Sequence, residues 1–152
     1  MIEGIDVGTA LVILAEIGVD VSRFPTEKHF ASWLRLSPPQ HQSNKTNRRR
    51  GHRTGTNRVT IALRLAPRSV GRTMTPLGLF YRRIRSRIGG LGAVKATAHK
   101  LACLVYRMLK YGEEYVTQSM AEYEAKVKAN VLKALQRKAV ALGFDLIPLP
   151  AE

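Results

Sequence analysis

Residues 91–111 read LGAVKATAHKLACLVYRMLKY. Val94, Ala98, Leu101, Val105, Met108 and Leu109 recur at helical spacing, which predicts a helix with one buried face. Gly112 follows directly, where helices commonly stop. Downstream, Ala121, Ala125, Val131, Leu132, Leu135 and Leu142 predict a further helix over about 119–142, ended by Gly143. Upstream, Gly89-Gly90 marks a break. Before it, Thr75-Pro76 offers an N-cap with proline at the first helical position, opening a helix with Leu77, Phe80, Tyr81, Ile84 and Ile88 inward. Arg82, Arg83, Arg85 and Arg87 crowd the outside of that helix.

A helix is also expected from about Asn57. Val59, Ala62, Leu63, Ala66 and Val70 share one side of it, and Arg64, Arg68 and Arg72 form a stripe opposite. Ile61 and Leu65 interrupt the polar side, and Pro67 should kink or shorten the helix. Nearer the N-terminus, residues 9–18 read as a short apolar helix closed by Gly18. Thr26 then caps TEKHFASWLR, with Phe30, Trp33 and Leu34 on one face. No stretch alternates with the period of a strand, and no internal repeat is evident. The fold class is all-α, a small helical domain over 1–117 followed by a C-terminal helix and tail over 118–152.

Charge says what the domain meets. Residues 28–112 hold 19 Lys/Arg, 14 of them Arg, and no Asp or Glu, whereas the flanks hold 6 Lys/Arg and all 11 acids. Like charge at this density opposes compaction, so a polyanionic partner is the economical explanation. Arginine suits forked contacts with phosphate. The nearly apolar-free stretch SPPQHQSNKTNRRRGHRTGT (37–56) reads as a long basic loop, and loops of that length are commonly functional. Lys45, Arg48, Arg49, Arg50, Arg53, Arg58, Arg64, Arg68 and Arg72 are the expected nucleic-acid contacts.

Composition excludes other classes. The 45 % apolar content is that of a folded chain. One cysteine leaves no internal disulfide and no cysteine-rich zinc site, and Cys103 reads as core. No apolar run approaches a membrane span and no basic leader precedes one, so a cytoplasmic, nucleoid location and no membrane partner are expected.

Two motifs have competing readings. GIDVGT (4–9) resembles the first strand of ribonuclease-H-like and actin-like folds, with Asp6 as a metal ligand. Acids are too sparse nearby for a two-metal site. The same residues fit a helix-hairpin-helix frame through Ile2, Gly4, Ile5, Thr9 and Ala10, with Asp6 replacing its second glycine; a plain helix start is the third reading. Ser43, in Gln42-Ser43-Asn44-Lys45, is a candidate nucleophile because flexible access and surrounding cations suit attack on phosphate. No carboxylate nearby can serve as its base.

IEGIDVGTALVILAEIG, SRFPTEKHFASWLRLSP, the QHQSN stretch, GTNRVTIALRLA, LGLFYRRIRSRIG and AVKATAHKLACLVYRMLKYGEEYV together resemble the C-terminal transposase domain of the insertion sequence 110 family, the Transposase_20 type. These are serine-dependent, RNA-guided transposases of mobile elements. The resemblance implies DNA as partner, a guide RNA besides, and a homo-oligomer in the full-length form. It places the DNA-attacking serine at Ser43, where Ser43-Asn44-Lys45 departs from the family's Ser-Gly. It also implies a ribonuclease-H-like domain that binds magnesium through four acids. That domain has no counterpart in these residues, so no cofactor is expected in this chain. The chain is therefore expected to be a DNA-binding C-terminal part of a transposase, inactive alone. The second reading is a non-catalytic basic helical module for duplex DNA or structured RNA.

Overall fold

A computed structural model describes residues 2–37 and 57–147. Five helices follow in order: α1 (Val7–Ile17), α2 (Glu27–Trp33), α3 (Arg58–Val70), α4 (Pro76–Tyr111) and α5 (Glu113–Ala141). The described residues contain no strand, as expected. The chain divides into two compact units, Met1–Val116 and Thr117–Glu152.

Side-chain caps set the helix starts. Asp6, Thr26, Asn57 and Thr75 each sit in extended backbone and accept the amide of the residue three places on, satisfying one of the open N–H groups of a helix start. Asp6 therefore starts α1 two residues earlier than the apolar pattern indicates. Arg35 ends α2 in left-handed backbone, with φ 55°, and lets the Leu36 amide reach back to Ala31 O at 2.9 Å. That turn tucks Leu36 into the core at some conformational cost, because a side chain crowds this region.

In the first unit, α4 packs on α3 and α2, and α3 also packs on α1. Phe30, Leu34, Val59, Leu63, Leu77, Ala98 and Leu101 are fully buried between them. Phe24 stacks edge-on against Phe30, with ring centres 5.1 Å apart. Tyr106 lies 5.8 Å from Phe30 and donates its buried hydroxyl to Phe24 O at 2.8 Å. Thr60 Oγ1 donates to Leu34 O at 2.9 Å, tying the end of α2 to the start of α3.

Several inward assignments need correction. Ile88 is exposed rather than inward, the core-facing positions before it being filled by Leu77 and Tyr81, and Trp33, with its ring 5.4 Å from Phe24, is 43 % exposed. In the second half of α4 the most buried positions are Ala93, Thr97, Ala98, Leu101, Ala102, Leu104, Val105 and Tyr106, while Val94, Met108 and Leu109 are half-buried. Small residues let α4 lie close to its neighbours, so the centre of the buried face shifts towards them. Pro67 does not end α3. It is buried near the C-terminal end, where its missing N–H removes one ladder bond, and the helix continues to Val70. The apolar stripe of α5 is exposed throughout.

The turn between α3 and α4 brings backbone close to Gly78. A Cβ placed on Gly78 would lie 2.3 Å from Thr73 O and 2.7 Å from Val70 O. Glu3 reaches into this turn and accepts from Thr73 Oγ1 at 2.6 Å and Thr75 Oγ1 at 2.5 Å. Gly78→Ala should therefore destabilise the chain by about 1–3 kcal/mol, the usual cost of overpacking. Gly90→Ala, with nothing within 4 Å of its Cβ, should be neutral or gain up to about 1 kcal/mol. Urea denaturation of the two variants measures both effects.

Candidate nucleic-acid interface

The structure reaches only part of the expected site. Ser43, Lys45, Arg48, Arg49, Arg50 and Arg53 lie outside the described residues. Arg58 opens α3 and is exposed, its guanidinium 3.7 Å from the Glu16 carboxylate. Arg64 is half-buried on α3, and Arg68 is exposed one turn later. Arg72 is exposed but lies beyond α3, in tight turns where its amide bonds Ser69 O and that of Thr73 bonds Val70 O. The expected straight stripe therefore bends at Gly71.

Arg83, Arg85 and Arg87 project from the first half of α4 and are exposed. Arg82 differs from them. It donates to Gly71 O at 3.1 Å and Thr73 O at 2.6 Å, closing the turn rather than facing outward. Among the described residues, no salt bridge engages Arg64, Arg68, Arg72, Arg83, Arg85 or Arg87. Two packed helices thus present arginines that no acidic group among the described residues pairs.

Beside them is a cavity of about 530 Å³ lined by Glu27, Leu36, Phe80, Ile88, Lys95, His99, Lys100, Cys103 and Arg107, among others. Lys100 Nζ sits 4.8 Å from the centre of the Phe80 ring, and the Arg83 guanidinium approaches the same ring at 5.8 Å. Glu27 holds Arg107 in a fork, at 2.5 Å and 2.9 Å. Burial, then Arg83 and Arg107, push Lys100 down to about 8. Burial lowers the His99 imidazole against the opposing influence of Glu27 and the Leu36 carbonyl. Cys103 lines the cavity half-buried instead of filling the core, and burial with Glu27 pushes its thiol up to about 11. That thiol stays protonated near neutrality and is a poor nucleophile.

Sequence reading missed this cavity. Its signal was the polar edge of the 91–111 helix, where Lys95, His99, Cys103 and Arg107 fall at successive steps of four.

At the other end, Asp6 accepts from the Thr9 amide at 2.8 Å, and the Thr9 side chain and backbone hold its carboxyl below the usual range. The start of α1 thus already carries an anion of its own. No group of three His, Cys, Asp or Glu that could hold a metal ion occurs among the described residues. No helix among them is long and apolar enough to cross a membrane.

Residues 1–81 match the family model described as Transposase IS116/IS110/IS902 family. That span takes in α1, α2, α3 and the first turns of α4. No curated protein and no solved structure matches the chain.

Lys100 provides a pH test of the cavity. The folded amine titrates at about 8, against 10.5 when unperturbed, so its charge opposes folding below the folded value. That penalty is relieved as pH rises through 8 towards 10.5. Lys100→Met should therefore be more stable than wild type at about pH 7, and the gap should narrow by about pH 9. Urea denaturation at the two pH values checks this; a constant gap would mean Lys100 is not desolvated.

Proposed function

The chain belongs to the IS116/IS110/IS902 transposase family, and we propose that its helical unit grips DNA during transposition. One observation carries the reading: Arg64, Arg68, Arg72, Arg83, Arg85 and Arg87 stand on two packed helices with no ion pair among the described residues. Such a surface is destabilised by its own repulsion until phosphates neutralise it and release their counterions. Lys45, Arg48, Arg49, Arg50, Arg53 and Arg58 extend it in sequence. A guide RNA would present the same phosphate chemistry to the same arginines.

Ser43 is the proposed nucleophile. Its hydroxyl oxygen loses its proton and bonds to the scissile phosphorus as the bond to the departing strand breaks, and the leaving oxygen takes up one proton in exchange, so the step balances. The neighbouring arginines stabilise the charge that builds on the phosphoryl oxygens. Magnesium, in this reading, is held by carboxylates of the ribonuclease-H-like domain of the family.

Duplex DNA affinity should fall steeply with salt, by about 0.9 log unit per log unit of salt for each phosphate contact. Changing Arg64, Arg68 and Arg72 together to Ala should reduce that slope by about two to three, and the Arg48, Arg49 and Arg50 triple should do likewise. Ser43→Ala should leave binding unchanged and abolish the covalent protein–DNA adduct in a complete, magnesium-containing transposition reaction. Salt-independent affinity would remove the phosphate-gripping surface; an adduct that survives Ser43→Ala would remove Ser43 as nucleophile.

A further inference from the structure

The exposed surface of α5 carries a repeat of its own. Ala121, Ala125, Lys128, Leu132, Leu135 and Ala139, with Leu142 one residue past the helix end, are separated by alternating steps of four and three, the spacing of a coiled-coil seam. The seam runs for about 33 Å at helical rise. Leu132 and Leu135 are nearly half exposed and Leu142 more so, with Val131 beside them at 47 %. A seam of this length, apolar at every position but Lys128, marks a surface for a partner.

Charge along the helix identifies the partner. Glu113, Glu114, Glu122 and Glu124 lie in its first half, and Lys126, Lys128, Lys133, Arg137 and Lys138 follow. A parallel second copy would set Lys128 on Lys128 and place like-charged halves together. An antiparallel copy sets Glu124 beside Lys138 at both ends of the overlap, and Glu113 and Glu114 lie beyond it. The seam then matches layer by layer: Ala121 opposite Leu142, Ala125 opposite Ala139, Lys128 opposite Leu135, and Leu132 against itself.

The residues just before Ala125, Leu132 and Ala139 complete the register. Glu124 faces Lys138 of the second copy at both ends, and Val131 meets its own copy at the centre. We infer that α5 pairs antiparallel with α5 of a second copy of this chain, centred on Val131 and Leu132. Small residues in two layers allow close approach, and Lys128 lies its aliphatic stem along the seam with its charge outward. This pairing is independent of whether the arginine surface binds nucleic acid.

Sedimentation equilibrium of the full chain without nucleic acid tests it, with circular dichroism to verify that each variant keeps its helix. Wild type should dimerise. Glu124→Lys and Lys138→Glu should each weaken the dimer about tenfold or more, since two attractions become two repulsions. The double variant should recover it, and mixing the two single variants should give a heterodimer as tight as wild type. A wild-type monomer, single variants as dimeric as wild type, or a double variant that stays weak would each overturn the antiparallel pairing.

Discussion

The first unit depends on how closely the end of α3 and the beginning of α4 can approach. At Gly78 a single carbon would strike two backbone carbonyls, so only a residue without a side chain lets the helices meet there. Around that point, Glu3 accepts from Thr73 and Thr75, and Arg82 donates to Gly71 O and Thr73 O. The buried faces of α3 and α4 are aligned by this joint, and their arginines follow. An anchor built from polar groups thus fixes a helix pair whose outer surface is unusually cationic.

The acids of the N-terminal flank are distributed to match. Glu3 goes to the turn, Glu16 stands near Arg58, and Glu27 forks onto Arg107. Each relieves charge at a structural contact, and none of the three pairs with Arg64, Arg68, Arg72, Arg83, Arg85 or Arg87. Lys100 shows part of the cost of that partition, since partial burial and, after it, two neighbouring guanidiniums draw down its proton affinity. A surface kept this positive favours association with phosphate over compaction of the chain alone.

Much of this was legible in sequence because caps and helical periodicity are local signals. Thr26, Asn57 and Thr75 announce their helices, and Gly18, Gly112 and Gly143 end them. Ile61 and Leu65 interrupt the polar side of α3 as their spacing indicated. What the sequence concealed was tertiary. Whether Trp33 or Ile88 faces inward depends on what other helices bring to the same place. The role of Arg82 depends on carbonyls nine and eleven residues away, and the cavity beside Phe80 exists only once the two halves of α4 are placed. Pro67 stands inside α3, which stops three residues later at Val70, short of Arg72.

Gly89 has an odd position inside α4, with φ 82° and ψ 174° and nothing within 4 Å of where a Cβ would be. Space would accept any residue there; torsion accepts almost only glycine. The bend between the arginine-bearing half and the half lining the cavity is therefore written in backbone geometry, without a packing partner to enforce it. Variation elsewhere in either half can repack side chains and leave the bend intact. An amino-acid replacement at position 89 has no such freedom, so this helix should tolerate changed composition except at Gly89, where torsion forbids a side chain, and at Gly78, where space does.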